Sequence, residues 1–172
     1  ATWGAQLIGR ASAKMFTNRP ISNLDEGFRF FGAGKIGGFP VIILVFILMY
    51  AISAFLLTQT RFGKNVYAIG GNDQAARVAG INVEKNLIKV YIWCSLCAAI
   101  GGILLAGRSG SADSANSGLN YELDAIAACV IGGVSFVGGI GKIRGVIIGV
   151  VLLRIIFVGL TFMSVSSNLQ YI

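Results

Sequence analysis

The chain has 172 residues, of which 55% are hydrophobic and 12% charged, and its mean hydropathy is +0.77. These values lie outside the range of ordinary soluble domains and indicate a membrane protein. The net charge of +7 does not indicate a nucleic-acid binder, because the basic residues are spread along the chain and form no basic stripe.

Residues 1–38 are predicted to form an amphipathic helix, or the end of one, followed by a turn-rich loop with exposed phenylalanines. The chain begins without Met or a signal-peptide pattern, and its last residues show no feature typical of a terminus. We therefore expect it to be a fragment of a longer protein.

Three later stretches are apolar and long enough to cross about 30 Å of hydrocarbon as helices. Residues 39–57 carry no charge, and residues 86–107 carry only Lys89, which is close enough to the start to reach the interface. Residues 145–163 are apolar except for Arg154 near the middle. Because an arginine facing lipid at that depth costs about 3 kcal/mol or more, Arg154 is expected to face the bundle interior, a cavity or an acidic partner.

A fourth apolar stretch, residues 123–139, is shorter and is interrupted by Gly132 and Gly133. It predicts a short or broken, re-entrant-like helix that other protein segments cover. Asp124 lies at its start, where an acid suits the helix dipole, so a capping role is favoured over substrate contact. The predicted fold is an all-α, polytopic helical bundle in the membrane.

Between the first two spans lies a polar segment, residues 58–85, which is rich in small residues. Its sequence predicts a turn at Gly70 and Gly71, an N-cap at Asn72, and a short helix that ends at Gly80. The three alanines of this helix have side chains too small to form a hydrophobic core around it. Small residues do permit close contact with a groove on another protein. The predicted docking surface therefore includes Ala75, Ala76 and Ala79.

The distribution of basic residues favours a cytoplasmic polar segment, with residues 108–122 as an outer loop and residues 164–172 as an outer tail. In this orientation Arg108 is the one basic residue of the outer loop. The basic residues on the inner side are Arg61, Lys64, Arg77, Lys85, Lys142 and Arg144. The basic residues among the first 38 favour the opposite orientation, because a cytoplasmic polar segment places them on the outer side of the membrane.

Several enzyme classes are excluded. The stretch "GGIGKIRG" is not a Walker A loop, because Phe136 stands at the position of the first glycine and Ile143 at that of the Ser or Thr. The chain has no histidine, so Ser-His, Cys-His and mixed zinc sites cannot form.

Two kinds of small residue are interpreted as packing residues. The three cysteines lie in apolar segments and are interpreted as packing residues, with no metal site. Glycines spaced by four, at 141, 145 and 149, predict a packing seam on one helix face.

Two motifs, "TRFGKNVYAIGGNDQAARVAGINV" and "YELDAIAACVIGGVSFVGGIGKIRGVIIG", resemble the C-terminal half of the membrane permeases of monosaccharide ATP-binding cassette (ABC) importers. The branch for galactose and methyl galactosides is the most similar, and those for ribose and xylose are near it. The resemblance runs from about Ile21 to Ile172. It implies a subunit of the bacterial inner membrane with several helices before residue 1 and one after residue 172.

The resemblance also implies the partners: a second permease copy, an ABC ATPase that carries the ATP and Mg, an extracytoplasmic sugar-binding protein that residues 18–38 would face, and membrane lipid. No cofactor is expected on this chain, and no nucleic acid.

The resemblance implies a role for particular residues as well. The polar segment would be the cytoplasmic coupling loop. The residues implied for ATPase coupling are Gly70, Gly71, Asn72, Ala75, Ala76, Ala79 and Gly80. The residues implied for the translocation pathway are Asp124, Gly132, Gly133, Ser135 and Arg154, of which Arg154 departs from the apolar or small residue expected there.

Alternatives of the same class are permeases for ribose, xylose, a nucleoside or a branched-chain amino acid. An ion-coupled secondary transporter would need buried titratable residues and an inverted repeat, and the sequence offers only Asp124 with Arg154. A purely structural membrane protein would give no reason for the small-residue helix of the polar segment.

Overall fold

The computed structural model describes residues 2–17, 21–22, 25–113 and 117–163. The helices in this part of the chain are α1 (Thr2–Phe16), α2 (Glu26–Ala33), α3 (Val41–Gln59), α4 (Arg61–Gly71), α5 (Asp73–Val78), α6 (Val83–Ser109), α7 (Tyr121–Ile131) and α8 (Ile143–Phe162). The two-residue strands are β1 (Ile21–Ser22), β2 (Lys35–Ile36), β3 (Phe39–Pro40) and β4 (Ser111–Ala112). The predicted all-α membrane fold is confirmed. The predicted outer tail, residues 164–172, lies outside the described residues.

Three of the helices, α3, α6 and α8, are long and apolar enough to cross a membrane. At most 11% of the apolar window of each is buried. Their apolar side chains are therefore available to lipid or to other helices. Helix α6 begins three residues before the predicted span, because the side chain of Asn82 accepts a hydrogen bond from the Lys85 N–H at 3.0 Å, as an N-cap does.

The chain divides into two compact units, Ala1–Ser53 with Lys89–Leu119 and Ala54–Ile88 with Asn120–Ile172. In the first unit, β1 pairs antiparallel with β4, and β2 pairs antiparallel with β3. Helix α2 approaches the end of α6 so closely that a Cβ atom on Gly32 would overlap the backbone of Gly107. The segment predicted as a turn-rich loop thus contains a helix and short strands, and the helix packs against the end of α6.

In the second unit, α7 packs against α8 through small residues. A Cβ on Gly145 would overlap the carbonyl of Gly132, and a Cβ on Gly149 would overlap that of Ala128. Ala128 is 2% exposed and Gly149 is buried. The predicted glycine seam is confirmed at positions 145 and 149, whereas Gly141 precedes α8 and faces the side chain of Val134 instead.

Helix α7 ends at Gly132, and Gly133 adopts a φ of +81° that favours glycine. The N–H of Val134 donates to the Cys129 carbonyl at 3.0 Å, a C-terminal capping contact that closes the helix. Of the two alternatives for residues 123–139, the short helix is therefore the one observed. The residues from 132 to 142, which connect α7 to α8, are called the glycine-rich turn below.

Candidate coupling segment and pathway residues

The polar segment consists of two helices in succession, α4 and α5, and the second has the predicted caps. The Asn72 side chain accepts a hydrogen bond from the Ala75 N–H at 3.0 Å. At the other end, Gly80 adopts a φ of +81°, and the Ile81 N–H donates to the Ala76 carbonyl at 3.0 Å. Asp73 in the first turn and Arg77 in the last complement the helix dipole.

The predicted turn at Gly70 and Gly71 is wrong, because both residues belong to the last turn of α4. Helix α4 begins directly after α3, where the Thr60 hydroxyl donates to the Leu56 carbonyl at 2.6 Å and accepts from the Gly63 N–H at 3.4 Å. Gly70 serves close approach instead of a turn, since its ideal Cβ would lie 2.5 Å from the Gly139 nitrogen. An ideal Cβ on Gly71 would meet no atom within 4 Å.

The alanines of α5 differ in exposure. Ala75 and Ala79 are exposed as predicted, but Ala76 is only 4% exposed, so its predicted place on the docking surface is wrong. Val78 is 91% exposed and was not predicted. The signal that could have found it is the helical period: one of three closely spaced alanines had to face inward, and an apolar side chain two residues away then faces outward. The exposed surface of α5 thus combines two small residues with one apolar residue.

Sequence reasoning also missed Tyr67 on α4. Its hydroxyl donates to the carbonyl of Gly141 at 2.8 Å, in a partly buried contact between residues 74 positions apart. A cavity of about 220 Å³ lies beside this contact. Its lining includes Val66, Val134 and Val146, so its walls are largely apolar. A tyrosine between two apolar neighbours in the sequence is usually a packing residue. Nothing in the sequence therefore indicated that its hydroxyl has a distant hydrogen-bond partner.

The predicted pathway residues fall into two groups. Gly132, Gly133 and Ser135 belong to the glycine-rich turn, where the Ser135 hydroxyl oxygen accepts from the Val137 N–H at 3.2 Å. Asp124 is half-buried in the first turn of α7, and Arg154 is exposed on α8. The structure therefore does not bring all five residues together.

The register of α7 on α8 shows where Asp124 and Arg154 lie relative to each other. Ala128 meets Gly149 and Gly132 meets Gly145, so one more turn along α7 brings Asp124 to the level of Leu153, the residue before Arg154. By the same register, the first turn of α7 lies level with residues 153–156, in the second half of α8. No ion pair joins Asp124 to Arg154 in the described part of the chain. An acidic and a basic residue nevertheless lie near one level of the α7 and α8 pair, at the first turn of α7.

The described residues contain no group of three or more Cys, Asp or Glu side chains that could hold a metal ion. Each free cysteine lies within a helix, Cys94 and Cys97 on α6 and Cys129 on α7.

Comparison with known proteins identifies the family. The family model for the permease component of branched-chain amino acid transport systems matches residues 2–172. The galactose/methyl galactoside import permease protein of Haemophilus influenzae is 49% identical over 89% of this chain and 46% of its own length. The corresponding protein of Escherichia coli is 48% identical over the same shares. The ribose import permease protein of Bacillus subtilis is 39% identical over 100% of this chain and 54% of its own length.

The chain thus spans about half the length of the curated relatives it matches. No solved structure matches it at a comparable level of significance. The predicted resemblance to sugar-import permeases and the predicted multi-pass location in the bacterial inner membrane are both confirmed. The chain belongs to the family of membrane permease components of branched-chain amino acid transport systems, and within it is similar to permeases named for galactose and ribose import.

Proposed function

We propose that the chain is the C-terminal half of a permease subunit in an ABC importer that brings a monosaccharide of the galactose or methyl galactoside type into the cell. The observation that carries this proposal is the identity of 48–49% to relatives named galactose/methyl galactoside import permeases, over 89% of the chain. Ribose is the second candidate, because relatives named ribose import permeases match all of the chain at 39–42%.

In this proposal the chain performs no covalent chemistry. ATP and Mg bind to a separate ATPase subunit, a second permease copy completes the pathway, and a binding protein delivers the sugar from outside. The ATPase dimer closes when it binds ATP and favours one of two conformations of the permease bundle. Transport then results from alternation between these conformations.

The ATPase would dock on α5. Ala75 and Ala79 are small and exposed, so a partner groove can approach the helix backbone closely, and Val78 offers an apolar side chain to fill a pocket. Asn72 and Gly80 fix the two ends of α5 and present it as a rigid unit. Gly71, on which an ideal Cβ would meet no atom within 4 Å, lies beside this surface.

The sugar would pass near the start of α7. Asp124 and Arg154 would supply an acceptor and a donor group near one level of α8, since polar groups that face a pathway are tolerated within a membrane and polar groups that face lipid are costly. Gly132, Gly133 and Ser135 would shape the pathway indirectly, because they set where α7 stops and how it meets α8.

The binding protein would meet the segment that precedes α3. Phe30 and Phe31 on α2 are 48% and 54% exposed, and Phe39 is 65% exposed. The contact of Gly32 with Gly107 fixes this aromatic surface to the end of α6. A docked protein at this surface would therefore contact a membrane helix through a short and rigid connection.

Uptake of radiolabelled galactose tests the proposed function. The complete permease gene that contains this chain is coexpressed with its neighbouring genes in cells lacking their own galactose importers. We expect uptake that excess methyl galactoside suppresses and that excess ribose leaves unchanged. Uptake suppressed by ribose would transfer the proposal to a ribose importer, and uptake of a branched-chain amino acid in place of any sugar would refute it.

A further inference from the structure

The glycine-rich turn contacts α4 at a place where both backbones consist of glycine. An ideal Cβ on Gly138 would lie 2.7 Å from the Gly70 carbonyl oxygen, and one on Gly139 would lie 2.7 Å from the Gly71 nitrogen. Real Cβ atoms do not come so near to backbone, so side chains at these positions would force the two segments apart. The turn therefore lies directly on the last turn of α4, which leads into α5.

Next to this contact, the Tyr67 hydroxyl bonds to the carbonyl of Gly141 at 2.8 Å. Tyr67 and Gly70 are three residues apart on α4, so they lie on one face of the helix. The glycine-rich turn is thus held by a polar contact at Gly141 and by backbone packing at Gly138 and Gly139.

The glycine-rich turn is itself a fixed structure. The Ser135 N–H donates to the Ile140 carbonyl at 2.9 Å, and the Gly138 N–H donates to the Ser135 carbonyl at 3.2 Å. Gly138 and Gly139 adopt φ values of +99° and +71°, which side-chain-bearing residues rarely adopt. Because its two ends continue into α7 and α8, a displacement of the turn must be passed to that helix pair.

At its α7 end, the turn is pinned to α8. An ideal Cβ on Gly132 would lie 2.5 Å from the Gly145 carbonyl oxygen and 2.9 Å from the Val146 Cα. The turn therefore contacts α4 on one side and joins the packed pair of α7 and α8 on the other. The nearest atoms in both contacts are backbone atoms of Gly70, Gly71, Gly145 and Val146, so no flexible side chain lies between the segments there.

We propose that Tyr67 and Gly70 are positioning residues that connect the coupling segment to α7 and α8 through the glycine-rich turn. This inference rests on the proposed function, since it assigns the route by which movement of α5 on the ATPase reaches the pathway. Tyr67 provides the directional contact, and Gly70 provides the close approach without which the hydroxyl cannot reach Gly141.

The test uses the complete permease, reconstituted in proteoliposomes with its ATPase and a galactose-loaded binding protein. Tyr67→Phe removes one hydroxyl, and Gly70→Ala adds one methyl group against Gly139. The matched controls are Tyr91→Phe, at a tyrosine on α6 that is 62% exposed, and Gly101→Ala, at a glycine on α6 with no atom within 4 Å of its ideal Cβ. Galactose uptake and ATP hydrolysis are both measured per assembled complex.

We expect the number of galactose molecules taken up per ATP to fall about fivefold in Tyr67→Phe, the change that loss of one ordinary hydrogen bond gives, and further in Gly70→Ala. ATP hydrolysis and both controls should stay at the wild-type level. A parallel fall of uptake and hydrolysis, with an unchanged ratio, would show a structural role and overturn the inference. If Gly70→Ala does not assemble, Tyr67→Phe decides alone. A wild-type complex without ATP-dependent uptake would overturn the proposed function, and this inference with it.

Discussion

At the scale of single residues, Ala75 and Ala76 show how neighbours of one type take opposite roles. Both lie on α5, yet Ala75 is exposed and Ala76 is 4% exposed. The Ala76 carbonyl also accepts the bond from Ile81 that ends the helix. A substitution at Ala76 therefore acts on the folding of the coupling segment, whereas a substitution at Ala75 acts on its surface.

This difference predicts opposite outcomes for one change at two positions. Ala76→Asp places a carboxylate in a buried site and should cost roughly 3 kcal/mol of stability, which lowers the melting temperature of the detergent-solubilised permease on the order of 10 °C. Ala75→Asp should leave the melting temperature unchanged, because an acid in the first turn of a helix is favourable, and should lower uptake. Equal melting temperatures for the two variants would contradict the burial of Ala76.

At the scale of elements, the contact of α7 with α8 depends on the absence of side chains. Gly145 and Gly149 lie one helical turn apart on α8 and meet the backbone of α7 directly. Gly159 lies on the same helix, and an ideal Cβ there would meet no atom within 4 Å. One helix therefore contains both a glycine that packing requires and a glycine that packing does not require.

Alanine at these two positions should have effects of opposite sign. Gly149→Ala must push α7 away from α8, since its Cβ would overlap the Ala128 carbonyl, and should cost about 1–3 kcal/mol. Gly159→Ala should raise stability by roughly 0.5–1 kcal/mol, because alanine restricts the unfolded chain more than glycine does. Thermal unfolding of the two variants beside the wild type measures both effects. Destabilisation of equal size would contradict the open space that the structure shows at Gly159.

The sequence predicted the long elements well, and the reason is physical. An apolar run of 19 residues has one stable form in lipid, so α3 could be located to within two residues. The caps of α5 were also predicted, because Asn72 and Gly80 act on residues close to them in the chain. Local chemistry therefore determined these features.

The features that the sequence did not predict depend on contacts between distant residues. Gly70 was assigned to a turn because glycine often ends a helix, whereas its partner Gly139 lies on another segment. Tyr67 has its partner 74 residues away, and the burial of Ala76 depends on tertiary packing that periodicity cannot resolve in a six-residue helix. Helix α2 was missed because its eight residues are too few to show a clear period.

At the scale of the whole molecule, the proposal joins a docking helix, a glycine-rich turn and a short helix that begins level with the second half of α8. In the second unit these parts lie in succession, since α5 follows α4, the turn lies on α4, and α7 leads into the turn. Energy for transport would enter at α5 from outside this chain. The arrangement suits an importer driven by ATP on a partner subunit.

The most direct test of the central claim is the energy source of uptake in proteoliposomes that contain the complete permease, its ATPase and its binding protein. We expect galactose uptake to require ATP on the side of α5, to stop when the ATPase is inactivated, and to persist when a protonophore and an ionophore collapse the ion gradients. Uptake that continues without ATP and stops when the ion gradients collapse would contradict the account and indicate an ion-coupled secondary transporter.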